Sequence, residues 1–120
     1  MDSLRNSVRL IGRLGDEPKV KLLNGGRKLA SISLATNEVY RDSKGVMQSN
    51  TTWHRLIAWD KTADIAEKLL TKGAEIAIEG KLTNRTWSDN NGVRHYLTEV
   101  VVNSLILLDK KPAAVSANEA

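Results

Sequence analysis

Two tryptophans and an arginine stand at even spacing in the stretch "NTTWHRLIAWDKT", residues 50–62. The chain has three tryptophans, two tyrosines and no phenylalanine, so this stretch holds much of its aromatic surface. Side chains two positions apart on a strand share a face, which places Trp53, Arg55 and Trp59 together. Flat rings stack on unpaired bases of any sequence, and a guanidinium attracts phosphates. The spacing therefore predicts a surface that binds single-stranded nucleic acid.

A second segment repeats this combination of aromatic and basic side chains. Residues 76–87 alternate between an aliphatic row and a polar row, and the polar row carries Arg85 and Trp87. Tyr40 adds an aromatic ring from a separate part of the chain. A duplex hides the faces of its bases, so a surface of this composition is expected to prefer single strands.

The same aromatic and basic pattern also fits a core, a subunit interface or an RNA-binding surface. A lone tryptophan on a strand is more often a core residue, and tryptophan with arginine is also enriched at subunit interfaces. An assembly module could therefore use these rings to close a protein interface. Stacking does not read the 2′-hydroxyl, which leaves an RNA-coating barrel open as well. The presence of a basic residue on the face of each tryptophan favours binding to nucleic acid.

Catalytic and metal-binding patterns are absent from the sequence. His54 and His95 are its only histidines, and neither stands at metal-ligand spacing. His54 points away from the tryptophan row, which predicts packing in the core or an interface. Glu75 and Glu79 share a polar strand face without a pocket signature, and "GRLG" at 12–15 lacks the continuation of a phosphate loop. We expect a protein that is not an enzyme and that uses no cofactor or metal.

Alternation of apolar and polar residues predicts the elements that position these side chains. Five strands are expected, over residues 8–14, 30–36, 51–59, 76–87 and 93–108. "NGG" at 24–26 and "SDNNG" at 88–92 predict turns, and the composition of 38–50 predicts a long exposed loop.

One helix is predicted between the third and fourth strands. Asp60 is its expected N-cap and Gly73 its expected stop, with an apolar stripe of Ile65, Ala66, Leu69 and Leu70. Five strands with a helix in this place are typical of an all-β OB-fold, a five-stranded Greek-key barrel. A split sheet covered by one helix is the alternative.

Length and composition fit one domain. The 120 residues carry a net charge of +4, which favours a polyanionic partner. We expect the domain to span residues 1–108 and a short flexible tail to span 109–120. The chain has no cysteine, no apolar leader and no long apolar segment, so we expect a cytoplasmic protein that is neither secreted nor inserted in a membrane.

The chain resembles the bacterial single-stranded DNA-binding proteins over residues 4–108. Seven segments carry the resemblance in the family's order and spacing: "NSVRLIGRLGDEPKVK", "NGG", "ASISLATNEVYRD", "TTWHRL", "KLLTKGAEIAIEGKL", "RTWSDNNGVRHY" and "TEVVVN". The resemblance implies an OB-fold subunit that forms a homotetramer on the bacterial nucleoid. Such a tetramer wraps single-stranded DNA without sequence preference during replication, recombination and repair.

The resemblance also implies roles for individual residues. Base-stacking aromatics of the family match Tyr40, Trp53, Trp59 and Trp87, although the family often has Trp where Tyr40 stands and Phe where Trp59 stands. Its phosphate-binding basic residues match Arg55, Lys61, Lys72 and Arg85. His54 matches a position at the subunit interface, and the apolar run at 100–102 suits the same assembly.

The end of the chain departs from the family. Family members usually continue into a flexible tail whose acidic, Phe-terminated tip recruits replication and repair proteins, whereas this sequence ends at "SANEA". The resemblance therefore gives less support to recruitment of replication and repair proteins than to the other expected properties.

Overall fold

The computed structural model describes residues 4–109 and confirms an all-β fold with one helix. Residues 110–120 of the predicted tail lie outside the described residues. The elements are β1 (Val8–Leu14), β2 (Lys19–Leu22), β3 (Lys28–Arg41), β4 (Met47–Trp59), α1 (Asp60–Leu69), β5 (Glu75–Ser88) and β6 (Arg94–Leu107).

Five of these strands close into the predicted barrel. The sheet order is β1-β5-β6-β4-β3-β2, and β1 pairs back with β3 through Arg13 with Ala35 and Leu14 with Leu34. The β4–β6 contact is parallel and the other contacts are antiparallel. The short strand β2, which the sequence pattern did not reveal, pairs with β3 outside the ring across the predicted turn at 24–26.

Glycines permit the close backbone contacts of the barrel. A Cβ atom on Gly12 would collide with the carbonyl group of Ala35, one of the β3 residues in the closure between β1 and β3. A Cβ atom on Gly80 would collide with the carbonyl group of Val101, at the irregularity that follows Glu79 in β5. These two strand positions therefore require glycine because another backbone occupies the space of a side chain.

The inward row of each strand fills the core. Leu34, Leu56 and Ile76 are completely buried. Val100 and Val102 are 4% exposed within a single chain, so they pack in the barrel and not at a subunit surface. The alternation of buried and exposed residues along β1 and β3 follows the predicted strand phase. In β4 the alternation stops at residues 56–58, where Ile57 of the predicted tryptophan row is buried together with both neighbours.

The helix is shorter and less deeply packed than predicted. It ends at Leu69, four residues before the predicted stop at Gly73, whose N–H instead donates to the carbonyl of Leu14. Ile65 and Leu69 are 40% and 46% exposed, because the small side chains of α1 make the closest contact with the barrel. Within residues 4–109, no helix is long and apolar enough to span a membrane.

Asp60 is not the N-cap. It is the first residue of α1, with φ of 50°, and Trp59 occupies the N-cap position. Its carboxylate accepts hydrogen bonds from the Arg27 side chain and the Lys28 backbone N–H instead. The long-range partners from β3 and the turn before it thus compete successfully with the amides of the first helical turn.

The predicted loop at 38–50 is wrong, because β3 and β4 continue through it as a hairpin arm. Only residues 42–46 form the turn. The arm projects beyond the core with both faces exposed, so it needs no apolar alternation to remain paired. Polar contacts such as Thr51 Oγ1 to Asn37 Oδ1, at 2.6 Å, cross the arm.

Candidate nucleic-acid interface

A groove with a volume of about 660 Å³ crosses the outer side of the barrel. It lies among segment 15–19, β3 at 31–33, β4 at 53–55 and β6 at 97–98. Ser31 and Ser33 are cross-strand neighbours of Ile57 and Arg55. These small side chains leave the space above β3 open.

The predicted tryptophan row borders this groove. Ile57 pairs with Val101 across the parallel contact, so odd-numbered residues of β4 and β6 share a sheet face. This face carries Trp53 and Arg55 on β4 and Leu97 on β6, and all three line the groove. Ring, charge and open space therefore occur together.

The second aromatic and basic pair lies on the same face. Arg85 and Trp87 of β5 stand across from Leu97 and His95 of β6. Since cross-strand partners share a face, the groove at Leu97 continues onto the arm formed by β5 and β6. The fold thus joins the two segments that the sequence pattern identified separately.

Trp53 is held by contact with a glycine. It is 60% exposed, yet a Cβ atom built on Gly15 would lie 2.8 Å from its Cη2 atom and closer still to Cζ3. The Gly15 N–H donates to the carbonyl of Ser33 at 2.9 Å, which holds this backbone against β3. One face of the indole is therefore packed on backbone while a large part of the ring stays open.

Arg55 and Arg85 differ in their charge partners. Arg85 donates to Glu99 at 3.2 Å, and Glu99 is only 8% exposed. The Arg85 guanidinium also lies 5.4 Å from the ring centroid of Trp87. Within the part of the chain that the structure describes, no carboxylate forms an ion pair with Arg55. Arg55 therefore has no ion pair that competes with a ligand, although Asp16 and Glu17 also line the groove, whereas the charge of Arg85 is largely balanced.

Trp59 carries a cation on one face. The Arg27 guanidinium lies 4.4 Å from the Trp59 ring centroid, within the range of a cation–π contact. Asp60 holds that guanidinium at 2.8 Å, and this hydrogen bond keeps the pKa of the Asp60 carboxyl below its usual value. Trp59 is half-buried as a result and offers less open ring than Trp53.

The remaining predicted contact residues lie at the edges of this surface. Tyr40 is 53% exposed on the β3–β4 arm, but the register with Gln48 places it on the opposite face of that arm from Trp53. Lys61 is exposed in the first turn of α1. The backbone N–H of Lys72 donates to Glu17, which places Lys72 beside the groove segment.

His54 lies where the strand phase predicts, on the face opposite Trp53. It is half-buried, and its Nε2 atom is 2.9 Å from Thr36 Oγ1. This contact links β4 to β3 on the core side of the sheet, so His54 is not part of the tryptophan row.

The sequence matches the model of the single-strand binding protein family over residues 5–108. The chain belongs to this family. "Single-stranded DNA-binding protein 1" of Chlorobaculum tepidum is 40% identical over 116 residues, which are 96% of this chain and 72% of that relative. The family resemblance seen in the sequence is thereby confirmed.

Solved structures of single-stranded DNA-binding proteins share the fold of this family member. A Plasmodium falciparum complex of such a protein with single-stranded DNA has a TM-score of 0.81 and 42% identity, covering 91% of this chain and 98% of that one. A deletion mutant of the Thermus aquaticus protein has a TM-score of 0.76 and 27% identity, covering 87% of this chain and 50% of that one.

Sequence reasoning missed four residues that orient the predicted ones: Gly15, Arg27, His95 and Glu99. A glycine that ends an alternating run signals a close backbone contact, so the role of Gly15 could have been predicted from the sequence. His95 and Trp87 flank the turn predicted at 88–92, and this placement could have paired them across a hairpin. No local signal connects Arg27 with Trp59 or Glu99 with Arg85.

We predict that Gly15→Ala displaces the Trp53 ring. Crowding of this kind should cost about 1–3 kcal/mol in the free energy of unfolding and should shift the tryptophan emission spectrum. Denaturant unfolding with fluorescence detection measures both effects. The matched control is the same substitution in a Trp53→Ala background, where the added methyl group meets no ring. An equal cost in both backgrounds would contradict the packing described above.

Proposed function

We propose that this protein binds and protects single-stranded DNA without sequence preference, as a homotetramer, during DNA replication, recombination and repair. The observation that carries the proposal is the single open face shared by Trp53, Arg55, Arg85 and Trp87. Family membership and the DNA named in the Plasmodium falciparum complex support the choice of ligand. Binding needs neither a cofactor nor catalysis, and we expect it to take place in the bacterial cytoplasm on exposed nucleoid DNA.

Stacking supplies the part of the binding that tolerates any sequence. Trp53 rests on Gly15, Trp59 carries Arg27, and Trp87 lies beside Arg85. Rings oriented in this way lose little freedom when a base arrives, so more of the contact energy appears as affinity. Each stacked base contributes roughly 1–3 kcal/mol. Tyr40 would add a further ring where the strand follows the β3–β4 arm.

Basic side chains supply the part of the binding that depends on salt. Arg55 lies in the groove without an ion-pair partner among residues 4–109, so no ion pair competes with a phosphate for its guanidinium. Lys61 and Lys72 are exposed at the two ends of the segment that contains α1. Arg85 shares its charge with Glu99, and its main contribution in this proposal is to orient Trp87.

The apolar outer surface of β1, β5 and β6 supports assembly into an oligomer. Ile11 and Ile106 are each 61% exposed and border one largely apolar depression with Ala77. An exposed apolar patch on a small barrel is typical of an interface with another protein. We propose that another copy of the chain covers it, and that the half-buried His54 lies at a second contact of the tetramer.

Binding of single strands should quench the intrinsic tryptophan fluorescence. A dT-rich oligonucleotide should bind on the order of a hundredfold more tightly than a duplex of the same length, because only unpaired bases expose their faces. A fluorescence titration with both ligands measures this, and a matched RNA strand used as competitor tests whether the protein coats RNA instead. Equal affinity for the duplex, or titration without quenching, would refute the proposed function.

Arg55→Ala should weaken binding about threefold to tenfold at roughly 0.1 M salt and reduce the slope of log K against log salt by about 0.7, since one phosphate partner is lost. Affinities measured over a series of salt concentrations give the slope. Lys68→Ala is the control of equal charge, because Lys68 lies in the last turn of α1 outside the groove. An unchanged slope for Arg55→Ala would assign that residue a structural role.

Ile106→Glu should break the oligomer into smaller species, because a carboxylate cannot be buried in an apolar interface without a partner. Size-exclusion chromatography with light scattering measures the mass. Trp53→Ala is the matched control and should retain the oligomer while losing DNA affinity. The opposite result, with the oligomer lost by Trp53→Ala and DNA affinity kept, would support an assembly module that closes a protein interface with its tryptophans.

A further inference from the structure

The two hairpin arms end in turns of the same kind, and each turn is built around one aspartate. Oδ1 of Asp42 accepts hydrogen bonds from the backbone N–H groups two and four positions later, both at 2.9 Å. Oδ1 of Asp89 accepts from the corresponding N–H groups of the other arm, again both at 2.9 Å. An aromatic residue stands two positions before each aspartate: Tyr40 in one arm and Trp87 in the other.

The arms differ in the residue six positions after the aspartate. Gln48 Nε2 donates to Asp42 Oδ2 at 3.1 Å, and His95 Nε2 lies 2.9 Å from Asp89 Oδ2. Each of these residues is also the cross-strand partner of the aromatic residue in its arm. The same place is thus occupied by a neutral amide in one arm and by an imidazole in the other.

The imidazole of His95 extends the aromatic surface of Trp87. The two ring centroids are 5.3 Å apart and the ring planes differ by 21°, so the rings are stacked. An ionised Asp89 carboxylate can accept a hydrogen bond but cannot donate one, so His95 Nε2 carries the proton and donates it. This bond keeps the pKa of the Asp89 carboxyl below its usual value. In the described chain, His95 Nδ1 has no hydrogen-bond partner, and the side chain is 42% exposed.

The charged groups around His95 come from three elements. Asp89 faces it from the turn, and Arg85 lies on the same face of β5, paired with Glu99 of β6. Arg94 precedes it on the opposite face of β6. Arg85 and Glu99 offset each other on this face, so the Asp89 carboxylate leaves a net negative charge beside Trp87. A proton taken up by the imidazole would offset that charge.

We propose that His95 is a further DNA-contacting residue that makes affinity depend on pH. The inference rests on the proposed function. The neutral imidazole widens the Trp87 platform for a base. The protonated form adds an Nδ1–H donor for the adjacent phosphate and offsets the Asp89 carboxylate that would otherwise repel it. Histidine is the side chain that changes charge between about pH 5 and 8, so affinity rises as pH falls through that range.

The first test compares the wild type with His95→Gln. Gln48 already holds the equivalent place in the other arm, so this variant keeps the hydrogen bond to the turn but cannot take up a proton. Wild-type affinity for a dT oligonucleotide should rise about threefold to tenfold from about pH 8 to about pH 5.5 at constant ionic strength. The variant should lose most of this rise. Anisotropy of a labelled oligonucleotide measures both proteins, and thermal unfolding confirms that the variant is folded.

A second test needs no variant. The imidazole signals of His95 are followed by NMR across the same pH range, with and without the oligonucleotide. Phosphate contact favours the protonated form, so the titration midpoint of His95 should move to higher pH in the complex. Equal pH slopes for wild type and variant, or an unmoved midpoint, would overturn the inference and leave the proposed function standing. Failure of the wild type to bind at any pH would overturn both.

Discussion

The contact that the interface depends on is the closure of the barrel between β1 and β3. It involves two residue pairs, and the backbones approach so closely that Gly12 cannot carry a side chain beside Ala35. The same closure carries the chain directly into Gly15, whose N–H binds β3 and whose backbone supports Trp53. The barrel seam therefore also forms one wall of the groove. A change that loosened the seam would disturb the core and the binding surface together.

Stacking and charge are divided between different residues on this surface. Two of the three tryptophans are oriented by arginines whose own charges are balanced by carboxylates, Asp60 for Arg27 and Glu99 for Arg85. These arginines therefore act mainly through the rings beside them. Arg55 has no such partner among the described residues and offers its charge to the ligand. A basic side chain near a tryptophan can thus orient the ring, or contact a phosphate, and the nearest carboxylate decides which role prevails.

The hairpin arms show why exposed structure is hard to predict from pattern. An arm with both faces exposed to solvent needs no apolar row. The alternation of apolar and polar residues that revealed the barrel strands is therefore absent from residues 38–50. Its strands persist through backbone pairing and an aspartate that binds the turn amides. The β5–β6 arm was easier to recognise because its aromatic and basic residues continue the alternation of the strand below it. The short strand β2 escaped notice for a similar reason, since its residues are mostly exposed.

The sequence by itself determined the barrel strands, the helix position, the family and the facing of Trp53, Arg55 and His54. These features depend on local spacing, because a strand sends alternate residues to opposite faces and a buried face must be apolar. Only the tertiary structure decided that Tyr40 lies on the other face of its arm, that Arg27 covers Trp59, and that Asp60 holds Arg27 and does not cap the helix. Those contacts join residues far apart in the chain, and their geometry exists only once strand register and barrel closure have brought them together.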